Sequence, residues 1–100
     1  MLAKSADEIA LQPTDYGLEQ NYPNPFNPET TIRYRLAEDS HVVLKVFEMT
    51  GREVVTLVDS QQGAGSHSIQ WHAVNMPSGI YLCQLRYGRL VFTKRMVYLR

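Results

Sequence analysis

The sequence is poor in the features that mark disulfide frameworks, membrane spans and exported N-termini. It holds one cysteine, Cys83, among 100 residues, so no disulfide can form within the chain. No segment approaches the roughly 20 apolar residues of a membrane-spanning helix. The first residues lack the apolar middle of a secretory signal peptide. We therefore expect no direct transmembrane segment and no export signal at this N-terminus, so that any export requires a longer protein.

Acidic side chains are missing from the last two fifths of the chain. Ten basic and ten acidic residues give zero net charge, yet the last carboxylate side chain belongs to Asp59. Five basic residues follow it, namely Arg86, Arg89, Lys94, Arg95 and Arg100. Such a basic end could meet an anionic surface, although spread charges on a strand pair more often serve solubility. Because nucleic-acid-binding modules usually carry a clear positive excess, we expect no nucleic-acid partner.

One short segment is dense in residues that dictate backbone shape. It consists of Asn21, Tyr22, Pro23, Asn24, Pro25, Phe26, Asn27 and Pro28, and is called the strap below. Its three prolines fix φ and exclude a helix. We expect Tyr22 and Phe26 to anchor the strap on a core, with asparagine side chains closing local turns. A plain surface linker is the alternative. The strap suggests a boundary, with residues 1–17 a flexible tail and 18–100 one domain.

Short segments of alternating polarity follow the strap. Ile32, Tyr34 and Leu36 share one strand face, and so do Val42, Leu44 and Val46 in the next strand. Further strands are predicted at 53–58, 67–71, 80–87 and 90–99, with Val54, Leu57, Ile69, Trp71, Tyr81, Cys83 and Leu85 facing inward. The odd spacing of Val54 and Leu57 predicts a bulge, and Gly51 a hairpin turn. Residues 59–66, rich in glycine, and 72–79 are predicted as loops.

Six such strands, or seven if the segment before the strap pairs, occur at short spacing without a helical stretch. This pattern predicts an all-β fold, an immunoglobulin-like antiparallel β-sandwich of six to seven short strands with no substantial helix.

Reactive side chains show no convergent pattern. His67 and His72 are an odd number of residues apart, so on one strand they face opposite sides and cannot share a metal. Asp39, Ser40 and His41 have the residue types of a hydrolytic triad, but adjacency does not supply its geometry. Cys83 lies among apolar residues and is expected in the core. We expect a protein that is not an enzyme and that uses no metal or cofactor.

Aromatic residues leave two binding interpretations open. Trp71, Tyr81 and Tyr87 could line a sugar-binding face, although filling the core of a small sandwich is the more common role. Tyr87, Phe92 and Tyr98 could stack on single-stranded nucleic acid, against the zero net charge. An accessory structural or carbohydrate-binding module therefore remains an alternative function.

The segment from Leu18 through the strap, followed by Thr30 to Tyr34, closely resembles the opening of the C-terminal sorting domain of the type IX secretion system. Later blocks of the chain also resemble that family, including Gly51, Trp71, Gly79, Tyr81 and the closing basic segment from Thr93 to Arg100. The resemblance extends over residues 18–100. The family is structurally related to the immunoglobulin-like domain of flagellar hook-capping proteins, which keeps a scaffold role as a second interpretation.

The resemblance implies a non-catalytic address label. Members of this family sit at the C-terminus of larger secreted proteins of Bacteroidota-like bacteria. It implies as partners an upstream cargo domain, the type IX outer-membrane translocon or its shuttle, and a sortase-like protease. The expected location is the cell surface or the medium, reached through the periplasm and outer membrane. Cleavage is expected within residues 1–17.

We expect recognition by the translocon at the final strand, through Lys94, Arg95, Met96, Val97 and Arg100. The three bases would meet an acidic or polar groove. An edge strand could also add to a partner's sheet through backbone hydrogen bonds. The alternative is that this strand only completes the sheet. Arg95 stands between Lys94 and the apolar Met96, where the family commonly has lysine directly before the apolar residue.

Overall fold

The computed structural model describes residues 17–100, and the predicted tail, apart from Gly17, lies outside these residues. Six strands follow one another: β1 Glu29–Leu36, β2 Ser40–Glu48, β3 Glu53–Gln62, β4 Gly65–His72, β5 Gly79–Tyr87 and β6 Leu90–Tyr98. No helix occurs between residues 17 and 100, and hence none that could cross a membrane. One sheet pairs β1 with β4, and the other has the order β3-β2-β5-β6. All ladders are antiparallel, which confirms the predicted all-β sandwich.

Alternating apolar residues form the core because side chains of a strand point alternately to its two faces. The predicted inward residues of β1, β2 and β5 are all at most 3% exposed: Ile32, Tyr34, Leu36, Val42, Leu44, Val46, Tyr81, Cys83 and Leu85. Residues from both sheets form one buried cluster. The predicted faces of these three strands are therefore confirmed.

The β2–β3 hairpin matches the predicted turn and the predicted bulge. Gly51 has φ of 96°, a left-handed conformation that glycine adopts without steric cost. The pairing then skips Val54 and Leu57, which gives two irregularities in the ladder. Both side chains are only half-buried, and the buried residue of β3 is Val58. Val54 and Leu57 both pack against the buried cluster, as predicted, but the bulges leave them only partly buried.

The predicted loop at residues 59–66 is wrong. β3 continues to Gln62 and β4 begins at Gly65, so only two residues connect the sheets. The Asp39 carboxylate accepts a hydrogen bond from the Ala64 N–H at 2.9 Å, and this bond holds the connection. Glycine and alanine resemble a flexible loop in sequence, whereas here Gly65 opens β4 with φ of 115°, a conformation that favours glycine.

The segment before the strap pairs with β1, as the seven-strand alternative required. Leu18 bridges to Tyr34, and Tyr22 at the start of the strap continues this pairing with a bridge to Thr31; both bridges are antiparallel. The Glu19 N–H donates to the Arg33 carbonyl at 2.9 Å. These are isolated bridges and not a regular strand, yet they extend the β1–β4 sheet on the free side of β1.

Candidate functional site

Phe26 anchors the strap between the two sheets. Its side chain is 2% exposed. The ring centroid lies 5.6 Å from that of Trp71 on β4 and 5.2 Å from that of Tyr98 on β6. Trp71 in turn meets Tyr81 edge-on at 5.8 Å. One aromatic cluster therefore joins the strap, β4, β5 and β6, and the predicted anchoring by Phe26 is confirmed.

Tyr22 is not an anchor, contrary to the prediction. Its side chain is 73% exposed, while the preceding Asn21 is 4% exposed. The Tyr22 N–H and carbonyl both bond to Thr31, so this part of the chain is extended and neighbouring side chains point opposite ways. The inward position falls to Asn21, whose amide donates to Thr30 Oγ1 at 2.9 Å and to the Pro23 carbonyl at 3.1 Å. The local turn predicted for an asparagine is thus present at Asn21.

The strap then runs along β6 and pairs with its C-terminal half. The Phe26 N–H donates to the Val97 carbonyl at 2.9 Å, and the Leu99 N–H donates to the Phe26 carbonyl at 3.1 Å. The Asn24 side-chain oxygen accepts from the Val97 N–H at 2.9 Å. Gln20 Nε2 donates to the Arg95 carbonyl at 2.6 Å. The backbone of β6 between Arg95 and Leu99 is consequently covered on the side away from β5.

The N-terminal half of β6 receives no such hydrogen bonds from the described residues, although Gly17 lies against the ring of Phe92. β6 is the edge of its sheet, so half of its backbone groups face away from β5. The bonds from Arg95, Val97 and Leu99 to the strap and Gln20 identify the odd-numbered residues as the outward ones. No partner within residues 17–100 reaches the outward groups of Val91 and Thr93 or the Arg95 N–H. We call this part, residues 91–95, the open edge.

The five residues predicted for recognition occupy different environments. Lys94 and Arg95 are exposed, but on opposite faces of β6, because they are consecutive in a strand. Met96 is fully buried and Val97 half-buried. Arg100 is exposed, and its N–H donates to Ser78 Oγ at 2.8 Å. The structure brings the bases to one strand end but does not place them on one face.

The positive charges near β6 are not neutralised by the described part of the chain. No carboxylate of residues 17–100 lies within ion-pair distance of Arg86, Arg89, Lys94 or Arg95. The acidic residues pair elsewhere, as in the 3.0 Å contact between Lys45 and Glu53. Hydrogen bonds from Thr56 and then from Lys45 lower the pKa of the Glu53 carboxyl. Within the described part of the chain, the β5–β6 side is therefore a basic surface without ion pairs.

Potentially reactive groups are arranged for structural roles. Ser40 Oγ donates to the His41 carbonyl at 3.3 Å and not to the imidazole. The His41 ring instead contacts Asp59 at 2.6 Å on the surface. Burial raises the pKa of the Cys83 thiol to about 12. Among residues 17–100 no group of three or more histidine, cysteine or acidic side chains could hold a metal ion.

The aromatic residues considered for ligand binding are taken up by the core. Trp71, Tyr81 and Tyr87 are at most 5% exposed, so they offer no sugar-stacking face. Tyr98 is 4% exposed, and half-buried Phe92 stacks on Tyr87 with ring centroids 6.1 Å apart. These rings are therefore not a platform for nucleic-acid bases.

Three polar contacts at the C-terminal end of β6 are not predicted by any pattern in the sequence. Asn24, Gln20 and Ser78 each bond to backbone groups of residues 95–100. Each contact joins residues at least 22 positions apart in the chain. An asparagine between two prolines signals a local turn, and no local pattern indicates a partner so far away.

Comparison with known proteins identifies the family to which the domain is related. The family described as "Secretion system C-terminal sorting domain" matches residues 20–98. No curated protein sequence matches the chain. Among solved structures, the chain is similar to part of PorZ, an essential surface component of the type IX secretion system of Porphyromonas gingivalis. The TM-score is 0.64 and the identity 21% over 98% of this chain, which spans 13% of PorZ. At this identity the likeness supports the fold.

Proposed function

The chain belongs to the family of secretion system C-terminal sorting domains, and from this premise we propose that its β6 surface is read by the outer-membrane secretion machinery. Domains of this family are C-terminal sorting signals for type IX secretion. We infer that this chain directs an upstream cargo domain to the translocon or its shuttle. A sortase-like protease then removes the domain, and the cargo reaches the cell surface or the medium. In this role the chain is a non-catalytic label.

One observation supports placing recognition on β6. Lys94, Arg95 and Arg100 are exposed around a sheet edge, and no acidic side chain follows Asp59 in the sequence. An unpaired basic surface attracts an acidic or polar receptor over several ångströms and suppresses approach of other basic surfaces. Met96 contributes indirectly, because its buried side chain holds β6 on the core.

Export of a reporter tests this proposal. A periplasmic fluorescent protein carries the whole chain at its C-terminus in a host with type IX secretion. The wild-type fusion is expected in the medium or on the surface. The double variant Lys94→Glu with Arg95→Glu is expected to remain in the periplasm. Retention of the wild-type fusion, with the domain shown to be folded, would contradict the function.

Arg33→Glu is the control for charge and is compared with the single variant Lys94→Glu, since each changes the net charge by the same two units. Arg33 is an exposed base on β1, in the other sheet, and it also lacks an ion-pair partner among the described residues. Its reversal changes net charge without touching β6, so export should continue. Equal loss of export in both variants would show that net charge matters and that the β6 surface has no special part.

A further inference from the structure

We propose that the open edge of β6, residues 91–95, takes up an extended acidic segment of the secretion machinery as an additional strand. The inference rests on the proposed function, which it refines from a surface to a mode of binding. Backbone pairing would supply affinity, and the flanking bases would select a segment with carboxylates.

The first support is the set of unpaired backbone groups. Outward-facing backbone groups occur at three residues: the N–H and C=O of Val91 and Thr93, and the N–H of Arg95. These groups point away from β5 and have no hydrogen-bond partner within residues 17–100. An edge with free N–H and C=O groups is a template for another strand. Five residues of strand extend over roughly 16 Å, which suffices for a short added strand.

The second support is the boundary that the strap sets. Between Arg95 and Leu99 the outward positions are taken by Phe26, Asn24 and Gln20. A strand can therefore add only at the N-terminal half of β6. This region includes Lys94 and Arg95 of the predicted recognition residues but not Met96, Val97 and Arg100. The contact of Gln20 with Arg95 marks the end of the open edge, because an added strand has to stop there.

The third support is the chemistry around the open edge. Arg89, Lys94 and Arg95 have no carboxylate partner within the described residues, so a segment with acidic side chains would neutralise them. On the outer face a shallow depression is lined by Phe47, Leu82, Gln84 and Thr93. Thr93 forms the rim of this depression that is nearest to the added strand. Exposed lysine also discourages pairing between identical basic edges.

Proline at Thr93 separates the open edge from the fold. The Thr93 N–H is outward and makes no bond within the described residues, so a proline there removes a donor that the fold does not use. Proline is tolerated on an edge strand where the N–H faces solvent. Thr93→Pro should therefore fold yet block strand addition. Thr93→Val keeps the N–H and serves as the matched control. Val91→Pro repeats the test at the next outward position.

The export assay with the full chain gives the decisive comparison. For Thr93→Pro and Val91→Pro we expect export to fall roughly tenfold, as the loss of a hydrogen bond and a steric block would give. Thr93→Val should export like wild type. Near-UV circular dichroism and thermal unfolding show whether each variant is folded. Export of the wild type with equal export of both folded proline variants would overturn strand addition but leave the proposed function intact.

Two further outcomes have a defined meaning. Failure of the wild-type fusion to be exported would count against the proposed function itself. A purified chain that forms a dimer, lost in Thr93→Pro and kept in Thr93→Val, would show that a second copy occupies the open edge. Analytical ultracentrifugation measures this, and such a dimer would overturn the proposed acidic partner.

Discussion

The two halves of β6 share one neighbour, β5, but differ on their other side. The C-terminal half is covered by backbone and side-chain groups of the strap and Gln20. Along the open edge, the outward backbone groups of Val91 and Thr93 and the Arg95 N–H have no hydrogen-bond partner within residues 17–100. Unpaired edges invite association with other chains, and proteins usually cover them or place charges on them. In β6 the C-terminal half is covered by other groups and the N-terminal half carries exposed charges. The extent of the open edge is therefore set by the strap and by charge together.

Removing the anchor of the strap should have the largest effect. Phe26→Ala leaves a cavity between Trp71 and Tyr98 and is expected to lower the free energy of unfolding by about 3–5 kcal/mol. Urea denaturation measures the change. Tyr22→Ala is the control within the strap, because this exposed side chain should matter by less than about 0.5 kcal/mol. A loss of similar size in both variants would mean that the strap does not hold β6 through Phe26.

The interior beneath the open edge can be tested by pH. Cys83 on β5 pairs with Lys94, and burial raises the pKa of its thiol from 9.0 to about 12. The unfolded chain loses this proton at lower pH than the folded chain does. The stabilisation is therefore fully present well below pH 9 and declines as pH rises towards 12, by about 1 kcal/mol at pH 10.

Urea denaturation at pH 8 and pH 10 measures that decline. Cys83→Ala is the reference, since it keeps Tyr34 and Tyr81, whose pKa values are also raised by burial. The wild type should lose more stability than the variant between the two values. An equal loss would indicate that the core beneath the open edge admits water.

Removing one hydrogen bond between the strap and β6 should shift the boundary between the covered and the open half of β6. Asn24→Ala removes the acceptor of the Val97 N–H and should cost about 1 kcal/mol. Amide exchange at Val97 should then approach the faster exchange expected at Thr93. Asn27→Ala is the control, since Asn27 is exposed and has no hydrogen-bond partner among the described residues. Val97 exchange that is unchanged in Asn24→Ala would contradict the assigned cap.

Charge at the open edge should matter least for stability. Lys94→Gln and Arg95→Gln are expected to change the free energy of unfolding by less than about 0.5 kcal/mol, because both side chains are exposed and lack an ion-pair partner within residues 17–100. Thermal unfolding checks this. A large destabilisation would mean that these bases support the fold and are not reserved for a partner.

Much of the fold was predictable because alternation is a local signal. The inward residues of β1, β2 and β5 follow directly from a period of two. The bulge was predictable from the spacing of Val54 and Leu57, but its effect on their burial was not. The tight connection at Gly63 and Ala64 was not predictable, because long loops and tight turns use the same small residues. What distinguishes this one is the hydrogen bond from the Ala64 N–H to the Asp39 carboxylate.

The candidate site was predictable in position and not in detail. Charge asymmetry and the closing strand identified β6 as an exposed basic edge. The side of the strand that each base faces depends on pairing with β5, and the cover on residues 95–99 depends on contacts across more than 70 positions. The apolar character of Tyr22 predicts a place in the core, whereas backbone pairing with Thr31 turns the side chain outward.

The contact between Phe26 and Tyr98 has a consequence for biosynthesis. Residues near the beginning of the domain receive their partners only when Val97, Tyr98 and Leu99 have become available. Contacts between distant parts of a chain form late, since loop closure precedes the gain from packing. A chain emerging from the ribosome therefore cannot seal this side of the sandwich until its last strand has been made. Pairing of the strap with β6 therefore requires that all six strands have been synthesised.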